Sequence, residues 1–453
     1  MKKLLFFLIV LIGVALLTAE PPATPPSNYD DTDAGTESNP YQIDNLENLY
    51  WLSITQDVWG TPDLSFYFIQ TADIDASDTE NWDNGAGFNP IGLKIMGDNE
   101  EWVLTPFSGN YNGGFHTISN LYINRTGDLV RDKGLFGYID NAHIEAVKLV
   151  DSEMYCTMNC GLLVGGGVNS TITLCSSSGV IEGEFSLGGL IGNQVDSVIS
   201  RCYSEATVTG NDSCGGLMGL ILDSEISNCY YYGILNFLVD HNGGLIGNCY
   251  NGNLISNCYV AGEIQNSTAG GLLGMINPNS NITNCFWDEE STGAEDYTEY
   301  YFGGTYSNVL GLQTIEMLNP ATYTSAGWDF INVWATGLIT NWGYPYLIEN
   351  SPVANEENEI SPIPMLSTNY PNPFSSMTTI SFNLKQREKV TMYIYNIKGE
   401  KINTLVSDTM TSGNHTVNWQ GTDSSNRRVA SGVYFYKLVT KTQTSNGKMI
   451  YLK

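Results

Sequence analysis

The sequence predicts an all-β chain: a parallel β-helix, a solenoid of coils about 27 residues long, followed by a small antiparallel Ig-like β-sandwich. Three observations predict it. A phrase ending in cysteine recurs at a nearly fixed spacing. A glycine phrase precedes it each time. The last stretch of the chain alternates apolar and polar residues between turn formers.

Residues 1–19 read as an export signal. Lys2 and Lys3 give the positive start, Leu4 to Leu17 the apolar stretch, and Ala19 the small residue before cleavage. That stretch is short for a membrane span, and no later segment reaches span length, so no transmembrane segment is expected after signal removal. Residues 20–40 are rich in Pro and acid and read as a disordered spacer.

Residues 41–348 hold the solenoid. Cysteine closes the phrase at Cys175, Cys202, Cys229, Cys258 and Cys285, with spacings of 27, 27, 29 and 27. Each glycine phrase carries one leucine: Leu163, Leu190, Leu217, Leu245 and Leu272. "KGLFG" with Leu135, then Val147 in the cysteine place, makes an earlier unit, and "TISNL" with Ile118 and Leu121 reads as one further back, seven coils in all. A period between about 20 and 50 residues marks a stacked architecture, and no 3.6-residue apolar stripe points to helical repeats.

Within each unit the slot six residues before the cysteine place holds Asn141, Asn169, Asp196, Asp223, Gly252 or Asn279, all turn formers that tolerate a left-handed backbone. Three residues before it stand Ile144, Ile172, Ile199, Ile226, Ile255 and Ile282, and a β-branched residue at one fixed slot belongs in a strand. Stacking puts like over like in Leu, Ile and Cys columns, because one coil cannot bury its inner face alone. The column cysteine reads as an inward apolar filler, against two alternatives: a disulfide ladder and a catalytic thiol. Cys156, Cys160, Cys214 and Cys249 stand off the column, and the first two are spaced to close a small loop.

Residues 349–365 form a Pro- and acid-bearing linker, and residues 366–453 follow. "TTISFNL", "KVTMYIYNI", "HTVNW" and "GVYFYKLVT" alternate as half-buried strands, with Trp419 the central core residue and "TDSSNRR" an exposed loop. Charge divides the chain at the same place. Residues 366–453 hold 11 Lys/Arg and 4 Asp/Glu, a balance of +7. Residues 20–365 hold 6 and 44, a balance of −38. With 19 − 48 = −29 overall, nucleic acid and anionic lipid are poor partners for the whole molecule, and no nucleic acid is expected.

Motifs of chemistry are few. The histidines, His116, His143, His241 and His415, are scattered, and no zinc, nucleophile-elbow or phosphate-loop pattern occurs. Acid is too abundant to mark a carboxylate pair, and within the clearest coils the only bases are Lys148 and Arg201. Asp73, Asp75 and Asp78 lie close enough in sequence to be weak calcium candidates, though without the glycine and closing glutamate of an EF-hand loop. No other cofactor is indicated. Tyr230–Tyr232, Phe286–Trp287 and Tyr297–Phe302 are aromatic clusters suited to sugar rings or protein partners, and Phe286 and Trp287 read as end caps.

The units, with "YFIQTADIDAS", "FNPIG" and "PFSGNYNGGFHTISNLYI" ahead of them and "CFWDEESTG" after, resemble the GLUG repeat of bacterial surface proteins over about residues 36–347. The C-terminal part resembles the type A sorting domain of the type IX secretion system. The matching motif residues are Asn369, Tyr370, Pro371, Asn372, Pro373, Phe374, Gly399, Gly432, Lys448 and Lys453. Together the resemblances imply a secreted or outer-membrane surface protein of a Gram-negative bacterium. The expected role is non-catalytic adhesion or binding, with the type IX machinery and a glycan or protein ligand as partners. The alternatives are a carbohydrate-active lyase or hydrolase on the same scaffold, and a pure scaffold with no ligand.

Overall fold

The computed structural model describes residues 22–61, 64–96, 101–126, 131–239, 241–265, 269–336, 340–348, 366–370, 374–384, 387–396, 401–411, 413–440 and 444–453. The expected signal at 1–19 and linker at 349–365 lie outside them. Two compact units divide between Trp328 and Asp329, ahead of the boundary expected at 348. Residues past the division form a local knot of their own: Trp334–Ala335 pairs antiparallel with Tyr346–Leu347, and the Val333 and Trp334 amides bond the Asp329 carbonyl.

The first unit is a parallel β-solenoid. One register column runs through Tyr41, Phe68, Tyr111, Ile144, Ile172, Ile199, Ile226, Ile255, Ile282 and Tyr306. These ten levels, at about 4.8 Å each, span about 43 Å, three levels more than the repeats indicate. Aromatic rings take the isoleucine place in the first three levels and the last. The expected "TISNL" coil is corrected: Ile118 pairs with Leu149 and Ile74, so it lies in the neighbouring column and not in the isoleucine slot. Between Phe68 and Tyr111 the antiparallel hairpin of Leu93–Met96 and Trp102–Thr105 is inserted, which stretches the spacing there while the register survives.

The slot six residues before the cysteine place is left-handed in all six units that the repeat marks, with φ of 51° at Asn141, 49° at Asn169, 48° at Asp196 and Asp223, 75° at Gly252 and 70° at Asn279. A second left-handed column sits directly before the cysteine: Ala146, Leu174, Arg201, Asn228, Asn257 and Asn284. Between the two columns, buried Ser170, Ser197, Ser224, Asn253 and Ser280 make a polar ladder. The Ser170 amide donates to Ser197 Oγ at 3.1 Å, and the Ser197 amide to Ser224 Oγ at 3.1 Å; the hydroxyls of Ser170, Ser197 and Ser224 donate to the carbonyl two residues back. The corner is thereby kept free of orphaned amides.

The glycine phrase has a steric cause. A Cβ on Gly192 would lie 2.5 Å from Asn159 C, on Gly219 2.4 Å from Ser186 C, and on Gly247 2.3 Å from Ser213 C. The turn backbone of the preceding coil occupies that space. The leucine beside it is fully buried at each level from Leu135 to Leu245 and 1% exposed at Leu272.

The spacer expectation is also corrected. Residues 22–40 fold against the first coil. Asn28 Nδ2 bonds Asn39 and the Pro40 carbonyl, Gly35 accepts from the Tyr67 amide, and the Tyr29 ring lies 5.7 Å from Tyr41 and 5.2 Å from Trp51. Its Pro and Gly set turns, and Tyr29 and Asn28 supply the anchors that composition alone hides. Helix Leu46–Ile54, capped by Asn45, adds Leu49, Trp51 and Leu52 to the same core.

From Leu366 on, the second unit carries two larger antiparallel sheets. One has three strands, in the order Leu366–Tyr370, Thr378–Leu384, Gly413–Trp419. The other has four, in the order Lys401–Met410, Glu388–Asn396, Gly432–Val439, Thr444–Tyr451. Four of these are the strands expected from alternation, and both sheets contribute to one apolar cluster.

Candidate functional site

In the C-terminal unit the core is built around Trp419, 1% exposed, whose ring meets Phe374 at 5.5 Å and Tyr434 at 5.0 Å. Phe374 also packs on Tyr451 at 5.1 Å, and its amide bonds the Ile450 carbonyl. The last strand is therefore part of the core. Arg428 reinforces it with bonds to Tyr451 Oη at 2.7 Å and the Ser375 carbonyl. Of the other sorting-motif residues, Asn369 and Tyr370 pair with Ile380 and Thr379, Gly432 with Tyr451, and Lys448 with Phe435; the Lys453 amide bonds Ser431 Oγ. Pro371, Asn372, Pro373 and Gly399 lie outside the described residues. Asp423 and Arg427 close the "TDSSNRR" loop with a 2.9 Å ion pair.

In the solenoid the column thiols are unpaired and buried. Each donates to the carbonyl two residues back, at 3.1 Å for Cys175, 3.2 Å for Cys202, 3.3 Å for Cys229, 3.2 Å for Cys258 and 3.3 Å for Cys285. The left-handed residue before the cysteine turns that carbonyl inward, and a thiol satisfies it where valine cannot. Burial pushes the thiols of Cys175, Cys229, Cys258 and Cys285 well above their ordinary range, so they hold their protons at neutral pH. Cys156 and Cys160 form a disulfide, while Cys214 and Cys249 are buried in other columns.

Two of the three calcium candidates, Asp73 and Asp75, are engaged by the protein, and Asp78 is exposed on the short helical turn after them. Asp73 accepts from the Thr117 amide at 2.8 Å and faces His116, and Asp75 accepts from Asn120 Nδ2 and the Ser77 amide; these bonds hold both carboxyls below the usual range. Among the described residues no group of three or more His, Cys, Asp or Glu side chains is placed to hold a metal.

Two titratable features escaped sequence reasoning. Asp132, 1% exposed, sits over Gly166 with one oxygen accepting from Asn159 Nδ2 at 2.9 Å. Burial pushes its carboxyl up to about 6, against the pull of Lys94. Lys94 Nζ itself lies 5.2 Å from the Trp102 ring and 4.9 Å from Tyr138. The second is a recess of about 430 Å³ lined by Glu295, Asp296 and Glu299, with Thr292 and Thr298 and no Lys or Arg. Glu299 already accepts the His241 and Asn242 amides.

Tyr203, Tyr230 and Tyr259 stack face to face at 4.7 and 5.0 Å up the coils. Phe286 continues their column under Tyr323 and Trp328. Trp287 is inside, its indole bonded to the Ala294 carbonyl. Both residues serve as packing under the exit segment, not as end caps, because a further level, Thr305–Leu312, lies over them.

Fold and residues define a parallel β-solenoid carrying a C-terminal antiparallel domain. Residues 368–452 match the secretion system C-terminal sorting domain. That domain marks the chain for secretion and the cell surface, and implies contact with the type IX secretion machinery. Over 162 residues the chain is 38% identical to Halomucin of Haloquadratum walsbyi, a stretch that takes in 35% of this chain and 2% of that protein. A crystal structure from Bacteroides ovatus, described as a candidate immunoglobulin A1 protease, matches 69% of this chain and 94% of its own, at 22% identity and a TM-score of 0.49. Dimeric latent PorU from Porphyromonas gingivalis matches 24% of this chain and 10% of its own, at 15% identity and a TM-score of 0.18. Among the described residues no helix is long and apolar enough to cross a membrane.

Proposed function

We propose that the chain is a type IX cargo whose solenoid, built of GLUG-type units, is a non-catalytic adhesion or binding rod, delivered across the outer membrane and displayed at the cell surface. The observation that carries this reading is the make-up of one outward column of the solenoid. Thr173, Ser200, Ser227, Ser256 and Thr283 stand one over another, a repeating hydroxyl row rather than a convergent set of acids and bases. Such a row suits contact spread along a polymer or a protein face more than attack on one bond.

The test is a screen of the full chain against glycan arrays and host surface proteins, run beside activity assays on polysaccharides. Saturable binding without turnover is expected; turnover of any polysaccharide overturns the reading. A second reading, a carbohydrate-active enzyme, is favoured by one observation only, the carboxylate-lined recess at Glu295, Asp296 and Glu299. If turnover is found, Glu299→Gln and Glu295→Gln decide whether that recess is responsible.

A further inference from the structure

The outer face of the four-stranded C-terminal sheet is unlike the rest of this acidic molecule. Val390, Met392 and Ile394 point into the core, so the alternation turns Lys389, Tyr393 and Tyr395 outward. In the neighbouring strand Tyr434, Tyr436 and Leu438 are buried, which turns Phe435 and Lys437 outward in register with Tyr395 and Tyr393. Lys401 pairs with Tyr395 on the other side, and its Nζ lies 5.3 Å from the Tyr393 ring. Phe435 is 36% exposed. The remaining outward register positions whose side chains are described are Thr391, Thr404, Ser407, Thr409, Val439 and Ile450. Among the described residues no carboxylate takes an outward position on this face, in a chain that holds 48 Asp and Glu.

The outward face of a sheet in a sandwich has no packing reason to combine three aromatic rings with a lysine-only charge set. Exposed aromatic rings are enriched in recognition surfaces, and lysines of a single sign around them steer and select a partner of the opposite sign. From this we infer that the face of Tyr393, Tyr395, Phe435, Lys389, Lys401 and Lys437 is the surface by which the sorting domain docks on a carboxylate-rich protein of the secretion apparatus. The inference rests on the sorting reading and adds to it which face is read and the chemistry of the reader. The domain's balance of +7 against −38 for residues 20–365 gives the domain a field of its own sign, set against that of its cargo.

The test uses the full chain in a cell with a working type IX apparatus. The triple variant Lys389→Glu, Lys401→Glu, Lys437→Glu is expected to lower the exported fraction at least about tenfold and to leave folded protein in the periplasm. The matching triple Lys→Arg variant is expected to export normally. Protease resistance of the purified variants checks that both are folded. A photoreactive residue at Thr404, on the same face, is expected to cross-link to a protein of the outer membrane or periplasm. Normal export of the Glu variant overturns the inference, as do cross-links confined to lipopolysaccharide or to another copy of this chain. A chain lacking residues 366–453 separates the two levels. If it is exported undiminished, the sorting reading itself fails. If it is retained while the Glu variant is exported, only the docking face fails.

Discussion

The two units solve the burial of β-strands in opposite ways. In the solenoid the strands of the regular coils pair with their equivalents in the next coil, 27 to 29 residues on, so one side-chain choice is repeated until it becomes a column. In the C-terminal unit the strands pair antiparallel with different partners, and the core rests on single large residues such as Trp419 and Tyr451. Stacked coils spread stability over neighbour contacts, whereas a small sandwich concentrates it in a few rings. Charge follows the same division, with a strongly acidic rod and a basic domain.

The largest expected effect breaks this comparison open. Leu217→Ala should cost about 3–4 kcal/mol and shift only the solenoid transition in urea. Trp419→Ala should cost a similar amount, about 3–5 kcal/mol, and shift only the C-terminal one. Two transitions, each moved by one variant, are the expected record; a single shared transition contradicts the division.

Next is Asp132. Its folded carboxyl is raised to about 6 from 3.8, so the folded state holds the proton more tightly than the unfolded chain. The solenoid should gain stability as pH falls from about 6 to 4, and Asp132→Asn should stabilise it by about 2 kcal/mol at pH 7.5 and by little at pH 4. Melts at the two pH values check the sign, and equal effects at both contradict the assignment.

Ser197→Ala leaves the Ser170 amide without its acceptor and should cost about 1–2 kcal/mol, with local loss of hydrogen-exchange protection at that corner. The smallest effect has the opposite direction. Arg201 holds φ of 52°, where Asn stands in three later coils. Arg201→Asn should stabilise the solenoid by up to about 1 kcal/mol, measured by the denaturation midpoint.

These sites also mark where sequence reading reached and where it stopped. The Leu, Ile and Cys columns were legible because each repeats one residue type at one interval. The second left-handed column was half visible, as Asn228, Asn257 and Asn284, and hidden where Ala146, Leu174 and Arg201 take its place. The first levels were invisible. From Tyr41 the isoleucine column is continued by Phe68 and Tyr111 at separations of 27 and 43, since an inserted hairpin lengthens a coil at its corner without disturbing pairing. Asp132 gave no signal at all among 48 acids, because what sets it apart is burial over Gly166. On the C-terminal sheet, alternation gave the strands, but the absence of carboxylates from one face emerged only once register joined separate strands.

The stacking itself is most directly tested by pulsed electron–electron spin resonance with labels at Thr173 and Thr283. These residues are 110 positions apart in sequence and four levels apart in the Thr173, Ser200, Ser227, Ser256, Thr283 column. A narrow distance distribution near 19 Å, four spacings of about 4.8 Å, is the expected result; a broad distribution, or one centred beyond about 30 Å, contradicts the stacked register on which the solenoid's columns depend.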